Sequence, residues 1–236
     1  MKMRTLFLGL TVLVLVATGA SAQFGRGIDA TQLGQDVAQQ RLVEISVTKF
    51  EDAGFFRAGI SSDYGLTEWR RFEGGPAMLE PIPEEEELGF TGVNEHVLGV
   101  KTTFFRRGTP IISIEPIRPI AIPGQVRTMS VWVAGRNTNH RLVMVVEDIR
   151  GDIKYINMGN MNFTGWRRLT VAIPPNIIQR DPMLTDREGL MFRGFMVQTD
   201  LMQTYGTYFV YFDDLRAVTD LFSMEMRDED DMVDGW

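Results

Sequence analysis

The sequence predicts an all-β protein folded as a sandwich of two sheets. Three observations carry this reading. Strand-like segments recur at short intervals from Val43 onward, clusters of turn formers separate them, and no long stretch shows the 3.6-residue period of a helix. The 236 residues, 44% hydrophobic and 23% charged, suffice for one large β domain with a packed core and argue against wholesale disorder.

Residues 1–22 read as a secretory signal peptide. Lys2 and Arg4 give the positive start, Leu6 to Ala17 the apolar run, and Ala20-Ser21-Ala22 the small-residue cleavage site. The run is too short to span a bilayer comfortably, and no other stretch reads as a transmembrane segment. Residues 23–42 form a polar N-terminal arm in which Thr31 could cap a short helix through Gln40.

The sandwich domain is predicted over residues 43–222. Val43, Ile45 and Val47 alternate with Glu44, Ser46 and Thr48, the period of a half-buried strand. The glycines at 54, 59, 65, 74 and 75 then read as loops. Pro81 to Glu87, with two prolines and four adjacent acids, reads as a solvated loop. Further strands are predicted over Val97–Phe105, Ile111–Ile117, Gln125–Ala134, Arg141–Asp148, Ile153–Asn157, Trp166–Ile173, Leu190–Thr199 and Thr207–Val218. Leu142 to Val146 is nearly all apolar, as expected of a strand covered on both faces. Trp132 has apolar neighbours and is predicted to be core. Residues 223–236 read as an acidic tail: from Arg227 to Trp236 there are five acids and one Arg.

Charge and composition exclude several functions. The net charge is −7, and removal of Lys2 and Arg4 with the leader would make it −9, which repels phosphate backbones and disfavours nucleic acid. Cysteine is absent, so there are no disulfides, no thiol nucleophile and no thiolate metal site. Beyond the leader, 3 Lys stand against 19 Arg, a bias shared by protein–protein contacts and by GC-rich coding.

The catalytic inventory is thin. His96 and His140 sit in polar or turn contexts, and His140, in the run Asn137 to Arg141, reads as a surface loop histidine. No G-x-S-x-G, phosphate-binding Gly loop or dinucleotide fingerprint occurs. Glu51-Asp52 and Asp213-Asp214 are the acid pairs a glycosidase would need, although sequence cannot give the separation that chemistry requires. The same acids suit a structural cation site. Adjacent acids on a strand point to opposite faces, so one of each pair would serve, and Glu51 and Asp213 are the predicted ligands of a structural calcium. No other cofactor is predicted. Trp69 and Trp166 could line a sugar-binding cleft, and Asn162-Phe163-Thr164 matches a glycosylation sequon.

The order of several stretches resembles the flagellar filament outer layer (sheath) proteins of spirochaetes. They are Ser130 to Gly135 (SVWVAG) followed by Leu142 to Val146 (LVMVV), then Asn157-Met158-Gly159, Asn162 to Leu169 (NFTGWRRL), Ile173-Pro174, and Tyr205 to Asp220 (YGTYFVYFDDLRAVTD). The Glu84–Glu87 run and the acidic tail are not part of the match. The resemblance implies a jelly-roll sandwich, similar to galactose-binding and carbohydrate-binding modules, that is exported to the periplasm. It implies a structural, non-catalytic subunit that coats the flagellin core filament beside other sheath proteins, docking laterally on copies of itself or on paralogues. The alternatives are a periplasmic carbohydrate-binding module and a glycoside-active enzyme.

Overall fold

The computed structural model describes residues 42–82, 94–181 and 185–221. The predicted signal peptide, most of the arm, the Glu84–Glu87 run and the acidic tail lie outside the described residues.

Two six-stranded antiparallel sheets face each other. The first contains β1 (Leu42–Thr48), β3 (Gly65–Glu73), β4 (His96–Phe104), β7 (Gln125–Ala134), β10 (Trp166–Ala172) and β14 (Thr207–Asp220). The second contains β2 (Phe56–Gly59), β5 (Ile111–Pro116), β6 (Ile120–Ile122), β8 (Arg141–Glu147), β9 (Ile153–Asn160) and β13 (Leu190–Gln198). A small hairpin pairs β11 (Arg180–Asp181) with β12 (Thr185–Glu188).

The central eight strands give the topology. Taking β4, β5, β7, β8, β9, β10, β13 and β14 as first to eighth, the first sheet runs first–eighth–third–sixth. The second runs second–seventh–fourth–fifth. This alternation between sheets is a jelly roll. β3 and β1 extend the first sheet, and β2 and β6 the second.

The core lies between the sheets because each strand gives one face to it. From the first sheet come Leu98, Val100, Val131, Val133, Val210 and Phe212; from the second, Ile112, Ile114, Leu142, Met144, Phe192 and Phe195. Phe195 stacks on Phe212 across the sandwich, with ring centroids 5.1 Å apart and planes 9° from parallel. β13 carries a bulge between Phe192 and Gly194. Gly194 has φ 136°, and a Cβ there would stand 2.3 Å from the carbonyl oxygen of Ile114, so only glycine fits.

Three expectations are corrected. The stretch read as glycine-punctuated loops contains β2 and the nine-residue β3, which pairs along its length with β4. β3 escaped notice because, at the sheet edge, most of its residues are exposed on both faces and no period-2 pattern forms. Trp132 is only half-buried and is not part of the core cluster; Val131 and Val133 on either side of it take the core face, so it points outward. His140 is fully buried, as described below.

Candidate functional site

Strand pairing brings the two predicted cation ligands, Glu51 and Asp213, to the same seam of the first sheet, near enough for the charge of one to act on the other. Along one edge of β14, β4 pairs with Thr207 to Phe212 and β1 with Leu215 to Asp220. Asp213 and Asp214 occupy the seam between those two partners. On the other edge the register against β7 slips between Asp213 and Arg216, and Asp214 adopts φ 45°. The strand therefore does not end at these acids. It bulges there and continues.

Glu51, just beyond β1, closes the seam. Its Oε1 accepts the backbone N–H of Glu95 at 2.5 Å and of His96 at 2.9 Å, and its Oε2 meets His96 Nδ1 at 2.7 Å. Burial opposes ionisation of Glu51, but these donors outweigh it and hold its carboxyl below the ordinary value of 4.5.

Asp213 is the opposite case. It follows the core residue Phe212 and points away from the core, yet it is only 2% exposed because the β3–β4 loop covers it. A Cβ on Gly75 of that loop would lie 2.9 Å from Asp213 Oδ2. Asp213 Oδ1 and Asn94 Oδ1 are both buried without a hydrogen-bond partner. Burial, then the charge of Asp214, pushes the Asp213 carboxyl up to about 7, against hydrogen bonds from the Asn94 side chain and the Asp214 backbone. The Glu51 charge adds a smaller push in the same direction.

The cations nearby are committed elsewhere. Arg216, also buried, donates to Asp214 and to the Glu80 carbonyl, and lies 3.6 Å from Glu44 on β1. Arg168 bonds Glu44 and donates to Ser130 Oγ at 2.9 Å. Among the described residues no three or more His, Cys, Asp or Glu side chains converge on one metal position.

Two of the four acids weighed for hydrolysis, Asp52 and Asp214, have partners within the chain. Asp52 caps the 3-10 turn Ala53–Phe55 by accepting the Gly54 N–H at 2.8 Å, and Asp214 is held by Arg216. His140 packs edge-on against Tyr208, with centroids 4.6 Å apart, and its Nδ1 accepts the Asp200 N–H at 3.1 Å. Burial pushes its imidazole down to about 4 despite the Asp200 charge, so it is neutral at physiological pH.

Two shallow grooves mark the outer faces. On the first sheet, about 140 Å³ is bounded by Arg70 and Phe72 of β3, Gly99 and Lys101 of β4, and Tyr211 of β14. On the second, about 360 Å³ is bounded by Arg57, Glu115, Ile117, Tyr155, Arg193 and Met196. Of the tryptophans proposed for a sugar cleft, Trp69 is exposed on β3 and Trp166 half-buried at the start of β10; neither lines these grooves. Sequence reasoning missed Asn94 and Gly75 around Asp213, and the pairing of His96 with Glu51. They come from the β3–β4 loop and the first residue of β4, and no local pattern marked them.

The family model described as flagellar filament outer layer protein FlaA matches residues 22–228. The chain belongs to that family. A flagellar filament outer layer-like protein of Brachyspira hyodysenteriae is 36% identical over 219 residues, covering 88% of this chain and 98% of that protein. The flagellar filament outer layer protein of Spirochaeta aurantia is 29% identical over 105 residues, covering 41% of this chain and 31% of that one. Among solved structures, the family 11 carbohydrate-binding module from Clostridium thermocellum, in complex with a mixed-linked tetrasaccharide, aligns over 75% of this chain and 96% of its own. The identity is 10% and the TM-score 0.42. A module in complex with β-1,4-galactotriose aligns over 71% and 88%, at 10% identity and a TM-score of 0.37.

Membership of the outer layer family associates the chain with the flagellar filament. Among the described residues no helix is long and apolar enough to cross a membrane. Three of the surface arginines, Arg106, Arg167 and Arg71, have partners within the chain. Arg106 lies 4.3 Å from the Tyr64 ring centroid and 3.6 Å from Asp63, and Arg167 covers the Phe163 ring at 4.7 Å. Arg71 donates to the Glu51 carbonyl at 3.5 Å.

Proposed function

We propose that this chain is a structural sheath subunit of a periplasmic flagellar filament. In this reading it is exported with loss of residues 1–22, docks on the flagellin core or on neighbouring sheath subunits, and sets filament stiffness and curvature for motility. It turns over no substrate. The observation that carries the reading is the family match across residues 22–228.

The architecture suits that task. A coat repeats one rigid unit through contacts between unlike faces, and a two-sheet sandwich with a continuous core is such a unit. β3 offers an edge: Leu66, Trp69 and Phe72 stay exposed on a strand that, among the described residues, pairs with β4 on one side only. An exposed edge with apolar side chains is a template for pairing with another chain. Sedimentation of purified periplasmic flagella tests the proposal: the protein should pellet with the filaments. Recovery wholly in the supernatant under gentle lysis would count against it.

The groove on the second sheet favours one other reading. Tyr155, 64% exposed, and Ile117, 62% exposed, lie beside Arg57, Glu115 and Arg193, a mix of flat apolar and hydrogen-bonding groups that suits a sugar ring. Micromolar binding on a glycan array, without co-sedimentation, would support this reading over the first.

A further inference from the structure

We propose that β3 is the contact edge between two copies of this chain, which pair antiparallel along it about a twofold axis at Trp69. The inference names the partner for the edge described above and rests on that reading of β3. Its test uses the purified protein, so a failure there leaves association with the filament to be judged separately by sedimentation.

The main chain sets the first condition. Antiparallel partners exchange hydrogen bonds at alternate residues, so a strand directs every second N–H and C=O to each side. At either end of β3 the register with β4 continues through a bonded pair. The Phe105 N–H donates to the Tyr64 carbonyl at 2.8 Å, and the Gly74 N–H to the Glu95 carbonyl at 2.9 Å. The pairing in between runs without a bulge. Leu66, Glu68, Arg70 and Phe72 therefore turn their main-chain groups toward β4. Thr67, Trp69 and Arg71 turn theirs away from it, and among the described residues no other strand pairs with β3.

The side chains select the partner. With two copies of β3 antiparallel about Trp69, Glu68 of each copy faces Arg70 of the other, and Leu66 faces Phe72. Thr67 faces Arg71, and the two Trp69 side chains meet at the axis. The residues with outward main-chain groups thus fall opposite one another, so the hydrogen-bond register and the side-chain register agree. Opposite charges and apolar pairs directly across an antiparallel ladder stabilise it, and like charges do the reverse. Moving the axis by one residue sets Glu68 against Glu68 or Arg70 against Arg70. The charges on this edge repel the neighbouring registers and match their own image in this one.

These groups can reach a partner. Leu66, Trp69 and Phe72 are exposed. Glu68 meets Lys101 at 3.0 Å through Oε2 with 51% of its side chain still exposed. Arg70 is exposed, its guanidinium 5.9 Å from the Phe72 ring centroid. A twofold contact closes on itself, so a coat built this way would repeat a dimer through its remaining faces.

The test is sedimentation equilibrium and cysteine cross-linking of the purified protein. The parent should show a monomer–dimer equilibrium. Arg70→Glu and Glu68→Arg each set like charges across the axis and should each weaken dimerisation about tenfold or more. Mixed in equal amounts, the two variants should recover dimers, because each supplies the charge that the other lacks. Both positions are exposed, so both variants should fold. The chain has no cysteine, so introduced cysteines report the register. Leu66→Cys mixed with Phe72→Cys under mild oxidation should form a disulfide, directly opposite Cα atoms of that kind being about 4.5 Å apart. Leu66→Cys alone should not. A monomer throughout a concentration series reaching about 1 mM would overturn the pairing. So would dimers indifferent to both charge reversals, or a Leu66→Cys protein that links to itself as readily as to Phe72→Cys.

Discussion

Glu51 fastens the first strand of the jelly roll to the chain that precedes it. The carboxylate, following β1, takes the backbone N–H of His96 on Oε1 at 2.9 Å and the His96 ring nitrogen on Oε2 at 2.7 Å. β1 and β4 both pair with β14 but not with each other, so this one side chain bridges the break between them.

Removing that bridge should be costly. Glu51→Ala leaves two backbone donors without their acceptor and should destabilise the fold by ~2–3 kcal/mol in urea unfolding at pH 7. Because the folded carboxyl titrates below 4.5, its contribution is present above that pH and is lost as the pH falls further. The penalty of Glu51→Ala should therefore shrink in acid. An equal penalty at pH 3 would show that the carboxylate's charge is not what matters.

His140 should set part of the acid limit of stability. The folded imidazole titrates near 4 against an ordinary 6.5, so the folded state favours the neutral ring. Stability is complete above 6.5 and is lost as the pH falls from 6.5 toward 4, by up to about 3 kcal/mol for this group. A variant such as His140→Gln should be less stable at pH 7 yet show a flatter decline between pH 6.5 and 4. A parallel decline in both proteins would remove His140 as the cause.

The Phe195–Phe212 stack joins the two sheets at the centre of the core, and both rings are almost fully buried. Phe212→Ala should cost ~3–5 kcal/mol in chemical denaturation, the sum of lost transfer energy and an unfilled cavity. A loss under ~1 kcal/mol would mean that the core re-collapses around the gap.

Gly99 lets Phe72 lie against β4. A Cβ there would meet the Phe72 ring at 2.4 Å and Tyr211 at 3.0 Å. Gly99→Ala should displace Phe72 from β4, costing ~1–3 kcal/mol and altering the exposed face of β3. Separately, Trp69→Lys changes an exposed side chain and should leave monomer stability within ~0.5 kcal/mol. It should nonetheless reduce recovery with filaments if β3 is a docking edge. Undiminished recovery would move the docking surface elsewhere.

The strands that make the sandwich were legible where one face is buried and the other is not. β7 has the limits read from its residues, Gln125 to Ala134, because its Val and Met residues fill the core positions. β14 runs two residues past the predicted Val218, since Thr219 and Asp220 still pair with β1 and β7. β3 was illegible for the reverse reason: an edge strand that buries little carries no period. His140 was misread because its neighbours Asn139 and Arg141 are exposed while its own ring turns inward onto Tyr208. Of the acid cluster, Glu51 and Asp213 could be singled out as acids just after the chain's first strand and within its last. Asn94 and Gly75 could not, because only the fold of the β3–β4 loop brings them to the seam.

The most direct measurement is averaged electron cryo-imaging of native periplasmic filaments from cells with and without this protein. The account predicts sandwich-sized density on the outside of a flagellin core, lost on deletion together with a change in filament diameter or curvature. Filaments identical in both cells, with the protein free and monodisperse in the cell envelope, would contradict it.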